Sequence, residues 1–204
     1  MNAAIFSEDA LASTDRLWAD AVAHLSRKLS RVTPLDPDQV PDDRAAAIAY
    51  LDEWAGDDAR SWRVEAARFF EDHVPVYLRP DPDLNAALRH IQSQGLAMAA
   101  WSPGPPEAAL VVTHFLGLAR RFTTQAVDPA PGAAARVAAE LGMEPADTLF
   151  VSASPTTLLE AKASGARTAG ALWTGGNREL LLAAMPTLLA ESPGELVGLA
   201  LTTR

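Results

Sequence analysis

The residues able to do chemistry fall in four short stretches, each after an apolar run. Ser7, Glu8 and Asp9 follow Ala3 to Phe6. Asp9 is a candidate acid or base, or else a turn residue. Ser7 is either a capping serine or a nucleophile, and a serine attacks only with a base beside it. Ser102 opens Ser102-Pro103-Gly104-Pro105-Pro106, and Asp128 opens Asp128-Pro129-Ala130-Pro131. Asp128 reads as a loop residue before Pro129. The fourth stretch is Ser152-Ala153-Ser154-Pro155-Thr156-Thr157, rich in hydroxyls where a helix should begin. Hydroxyls there either join backbone N–H groups in holding an anion or cap the helix. Ser102 has the same two readings. Asp9, Ser102, Ser152 and Ser154 therefore form a weak candidate ligand set. His24, His73, His90 and His114 all fall on predicted helices, so no imidazole stands in these loops.

The elements that position these loops are legible in the pattern. Leu149 to Val151 is a short apolar run, as a strand buried on both faces would be. After the Ser152–Thr157 loop, residues 156–164 read as a helix stopped by Gly165, and residues 168–173 as another strand. Strands are likewise expected at 3–6, 96–101 and 122–127, with a weak one near 187–189. Helices are expected at 83–94, 107–116, 132–141, 177–185 and 193–199. Strand alternating with helix implies a parallel sheet with right-handed crossovers. The carboxyl ends of such strands form the ligand crevice, which is where all four stretches lie. Trp101 and Trp173 should sit at its edge.

Residues 7–79 break that alternation. Helical periodicity recurs at 14–32, 44–54 and 59–74, joined by an acidic, proline-rich connector at 34–43 and a Gly56-Asp57-Asp58 turn. A helical insertion after the first strand is expected, with Trp18, Trp54, Trp62, Phe69 and Phe70 as its own core. An exposed face for a partner is the other reading of those aromatics.

Composition bounds the function. The 204 residues are 49% hydrophobic and carry a net charge of −9. That balance disfavours nucleic acid and anionic membrane as partners, since both need a basic surface. The absence of cysteine excludes disulfides, thiol nucleophiles and thiolate metal sites. With no signal peptide and no 18-residue apolar run, a cytoplasmic protein is expected.

The four loops occur in an order that resembles the haloacid dehalogenase-like (HAD) superfamily, in its phosphoglycolate phosphatase-like branch. The likeness is strongest over residues 94–122 and 132–173. It implies an α/β fold: a HAD-like Rossmannoid parallel sheet flanked by helices, with an inserted α-helical cap. The core would take residues 1–14 and 80–204, the cap residues 15–79. In that family the first loop holds a nucleophilic Asp and, two residues on, an acid/base Asp. Here Ser7 stands at the first position, Asp9 at the second, and Ala10 replaces a glycine. The family's phosphate-binding hydroxyl corresponds to Ser102. Its lysine corresponds to Asp128, and its magnesium-binding acids correspond to Ala153 and Thr157.

Those changes remove the chemistry that the scaffold implies. Magnesium favours several oxygen ligands and at least one carboxylate, and Asp9 alone is a poor site. An acid in place of the lysine reverses a charge worth about 4 kcal/mol at 4 Å and an effective dielectric near 20. The expectation is therefore a pseudoenzyme with no catalytic residues, no metal and no cofactor. It would act by binding a protein partner, a second copy of itself or a small anionic ligand. The alternatives are an active hydrolase with atypical motifs, or a structural subunit of an oligomer. An active enzyme would use magnesium, or Asp9 without metal, with further carboxylates from Glu8, Glu107 or Asp128.

Overall fold

A computed structural model describes residues 2–29, 34–127 and 132–201. Six strands form one sheet: β1 (Ala3–Ser7), β2 (Ala97–Ser102), β3 (Thr124–Val127), β4 (Thr148–Ser152), β5 (Arg167–Ala171) and β6 (Leu188–Ala190). Their order is β3-β2-β1-β4-β5-β6, and every adjacent pair is parallel. The helices are α1 (Glu8–Leu11), α2 (Asp15–Lys28), α3 (Arg44–Ala55), α4 (Ala59–Tyr77), α5 (Pro82–Ser93), α6 (Pro106–Phe115), α7 (Ala133–Glu140), α8 (Pro155–Ala163), α9 (Arg178–Ala183) and α10 (Glu195–Leu201). The fold is α/β, a parallel sheet flanked by helices.

Side chains of a strand point alternately to its two faces, and the central strands use both. Ala4, Phe6, Met98, Ala100, Leu149 and Val151 join one apolar cluster. Ile5, Ala99, Trp101 and Phe150 join another, under Ala133, Ala134 and Val137 of α7. This two-sided burial is why β1 and β4 read as unbroken apolar runs. Helix starts are set by caps. Asp81 accepts from the Asp83 and Leu84 amides ahead of Pro82, and Asp43 accepts from the Ala46 amide at 2.9 Å.

Helices α2 to α4 lie between β1 and β2 in the chain. Trp18, Trp62 and Phe70 are buried there, with Trp18 edge-on to both rings at 6.5 Å between centroids. The Trp62 indole donates to Asp52 at 3.0 Å, which lets so large a ring be fully buried without an orphaned N–H. The inserted helices are not isolated. α4 packs on α6 as well as on α2 and α3, and one apolar cluster runs from Phe6 and Met98 to Trp62, Phe70 and Val74. Trp54 is half-buried.

Four details depart from the sequence-based expectation. Glu8 and Asp9 do not lie in an open loop but begin the one-turn helix α1. α2 ends at Lys28, short of 32. α4 continues through Pro75 to Tyr77. The carbonyl that Pro75 leaves without a helical donor belongs to exposed Glu71, so solvent can satisfy it. β5 ends at Ala171, placing Trp173 in the turn beyond it. Among the described residues no helix is long and apolar enough to cross a membrane.

Candidate functional site

The three central strands β1, β2 and β4 each end on a serine: Ser7, Ser102 and Ser152. All three are buried, and all three hydroxyls engage the two acids that open α1. Because β1 passes directly into α1, the turn of the helix sends Glu8 and Asp9 to different partners.

Glu8 points towards β2 and the inserted helices. Its Oε2 accepts from the Ser102 hydroxyl at 2.6 Å, while the Ser102 oxygen accepts from the Gly104 amide at 3.0 Å. On the other side Arg44, the first residue of α3, lies 3.5 Å from Glu8 Oε1. The same guanidinium donates to Thr14 Oγ1 at 3.2 Å and lies over the Trp18 ring, 4.5 Å from its centroid. One carboxylate thus ties the end of β2 to the inserted helices.

Asp9 points towards β4. It accepts from the Ser152 hydroxyl at 3.0 Å, from the Ala153 amide at 3.1 Å and from Ser7. Desolvation dominates its titration and holds the carboxyl above its ordinary value, although these three hydrogen bonds pull it down. Ser152 also accepts from the Ser154 amide at 3.0 Å, and Ser154 caps α8 by accepting from the Thr157 amide at 3.3 Å. The Trp173 indole donates to the Ala10 carbonyl at 3.0 Å and braces α1 from the β5 side. Gly176 closes that side. A Cβ there would lie 2.4 Å from the Ala171 carbonyl oxygen, so no side chain fits.

Above these groups lies a cavity of about 1080 Å³. Ser7, Glu8 and Asp9 line it, with Trp101, Ser154 and Thr157 on the sheet side and Trp18 and Arg44 on the helical side. Of the residues singled out in the sequence, the structure brings Ser7, Asp9, Ser152, Ala153, Ser154 and Thr157 together around the end of β4. Ser102 stands across from them, on Glu8. Asp128 lies outside the described residues. The sequence reading missed Arg44 and Thr14, and it weighed Glu8 only as a reserve carboxylate. One signal was available: Arg44 is the only basic residue between Arg31 and Arg60, directly after an acidic connector.

The donor set does not suit magnesium. Asp9 already receives hydrogens from two hydroxyls and an amide, Glu8 is paired with Arg44, and positions 153 and 157 offer no carboxylate. Among the described residues no three acidic or imidazole side chains are placed to share a cation. The chemistry open to this site is that of its own carboxylates, hydroxyls and backbone amides.

Strand order, helices inserted after the first strand and a crevice at the strand ends define the class of protein. The chain has the HAD-like fold. A hydrolase from Pseudomonas syringae superposes with a TM-score of 0.74 at 17% identity, covering 97% of this chain and 96% of that one. CbbY from Rhodobacter sphaeroides, solved in complex with phosphate, superposes with a TM-score of 0.73 at 17% identity, covering 96% of each chain. In sequence, phosphoglycolate phosphatase from Neisseria meningitidis is 27% identical over 134 residues. That alignment spans 61% of this chain and 57% of the length of the Neisseria protein. The phosphoglycolate phosphatase of Neisseria gonorrhoeae aligns to the same extent. No protein-family model matches the chain.

Proposed function

We propose that this chain is a HAD-fold protein that has given up phosphoryl transfer and uses the cavity over β1, β2 and β4 to bind a ligand. One observation carries the reading. Both acids at the end of β1 are consumed inside the protein, Glu8 by Arg44 and Ser102, Asp9 by Ser7, Ser152 and the Ala153 amide. Phosphoryl transfer depends on positioning and charge neutralisation. A site whose two central acids are already engaged, and whose donor set does not suit magnesium, supplies little of either. Losing a nucleophile alone commonly costs about 10⁴ to 10⁶ in rate.

The test is hydrolysis of an aryl phosphate with and without magnesium, beside a Ser7→Asp, Asp128→Lys, Ala153→Asp, Thr157→Asp revertant. No turnover by the natural protein is expected. Magnesium-dependent turnover that Asp9→Asn abolishes would overturn the reading.

A second reading has one observation in its favour: the Ser7 hydroxyl is hydrogen-bonded to Asp9, whose carboxyl is already shifted towards a better base. This would make a metal-independent hydrolase with Ser7 as nucleophile. Its mark in the same assay is turnover that ignores chelators and disappears in Ser7→Ala.

A further inference from the structure

We infer that Glu8 is a built-in anion occupying a carboxylate seat made by Ser102 and Arg44, and that an external ligand with a singly charged carboxylate binds the crevice by taking that seat. This deepens the binding reading above and rests on it. The seat has every part an external carboxylate would need. A hydroxyl donates at 2.6 Å to one oxygen, a guanidinium lies 3.5 Å from the other, and the floor is buried, with Glu8 only 4% exposed. Arg44 is held in place independently, by its bond to Thr14 and by the Trp18 ring beneath it. The donors therefore stay arranged when Glu8 leaves. Glu8 and Arg44 line the 1080 Å³ cavity, which has room for the rest of a small molecule, and Ser102 lies behind Glu8, outside that lining.

The occupant is covalently attached, so its local concentration is high. An untethered anion must outcompete it, which lowers apparent affinity by at least about tenfold. The crevice is thus self-closed until Glu8 turns aside. The charge around the seat selects the ligand class. Asp15, Asp38, Asp42 and Asp43 on the helical side and Glu160 on α8 also line the cavity, and among the described residues that line it Arg16 is the one other guanidinium. That rim opposes a dianion about twice as strongly as a monoanion at the same distance. A carboxylate therefore suits the seat better than a phosphate.

The experiment is anion binding to Glu8→Ala, in which the missing carboxylate can be supplied from solution. Acetate and inorganic phosphate are titrated against the natural protein, Glu8→Ala and Glu8→Ala/Arg44→Met, by calorimetry and thermal melting. Acetate is expected to bind Glu8→Ala with a dissociation constant of about 1 to 10 mM and to raise its melting temperature. Binding to the natural protein should be at least about tenfold weaker. The double variant should lose the response, and phosphate should bind Glu8→Ala less tightly than acetate. Equal acetate binding by all three proteins, no acetate response in Glu8→Ala, or phosphate bound more tightly than acetate overturns the inference. Should Glu8→Ala fail to fold even in acetate, Glu8→Ser, which also empties the seat, is titrated in its place, and no response there overturns it equally. Turnover in the hydrolysis assay bears on the proposed function; the acetate titration bears on the seat.

Discussion

The pair between Glu8 and Arg44 should be asymmetric under mutation. The Glu8 side chain is 5% exposed and that of Arg44 15%. Arg44→Met keeps an aliphatic stem over Trp18 but strands a buried carboxylate. Breaking a buried pair from one side costs about 3 to 5 kcal/mol. The lower end applies, because the Ser102 hydroxyl still donates to Glu8 and the cavity lets water approach. At about 3 kcal/mol, a protein of this size melts roughly 6 to 12 °C lower. Glu8→Gln differs in kind. The amide oxygen still accepts from Ser102, and Arg44 stays on Trp18 with part of its fork in solvent, so about 1 kcal/mol is lost. Since most of the Arg44→Met cost is the uncompensated charge, adding Glu8→Gln should restore stability, leaving the double variant about 1 to 2 kcal/mol more stable than Arg44→Met alone. Urea unfolding of the four proteins at pH 7 measures this. A double variant less stable than Arg44→Met, or an Arg44→Met within about 1 kcal/mol of the natural protein, would show that the pair is not a buried one in energy.

Two further outcomes follow from the same site. Asp9 binds its proton more tightly in the folded protein than its ordinary value of 3.8 allows, so its contribution to stability falls as pH rises from that value through the raised one. Asp9→Asn has no such dependence, and its stability relative to the natural protein should rise across that window in a series of urea titrations; a constant or falling difference would contradict the assignment. Gly176→Ala should cost about 3 kcal/mol or more in a thermal melt, because its Cβ meets the backbone oxygen of Ala171 rather than a movable side chain.

The sheet was legible because its strands are buried on both faces. Leu149, Phe150 and Val151 fill both apolar clusters, as consecutive apolar residues do in a parallel strand covered on both faces. The inserted helices were legible from Trp62, Phe69 and Phe70, which are buried as their spacing required. Helix α1 was not legible, since four residues give too short a window for any periodicity. That omission hid the partners of the acids. The helical turn sends Glu8 to Ser102, and Asp9 to Ser152 and Ser7. The Arg44 contact joins positions 36 residues apart in the chain, and no local pattern encodes it. Pro75 misled for a related reason. A proline ends a helix only where its lost hydrogen bond matters, and here the orphaned carbonyl belongs to an exposed residue.

The place of β1 also sets an order of events during synthesis. The strand is made before the other five, yet it lies in the middle of the sheet, where Ala3 pairs with Ala97 and with Thr148. At about 5 to 20 residues per second, roughly 5 to 20 s pass before the first of those partners is translated, and longer before the second. Residues 3–6 must wait through that interval as an unpaired apolar segment. Helices α2 to α4, with Trp18, Trp62 and Phe70 meeting one another, are complete by then and can collapse early. Closure of the sheet, and with it the assembly of Ser7, Ser102 and Ser152 around Glu8 and Asp9, is consequently a late step. A nascent chain that stalls before β4 would hold a formed helical lobe beside a sticky, unpartnered first strand, the kind of species on which chaperones act.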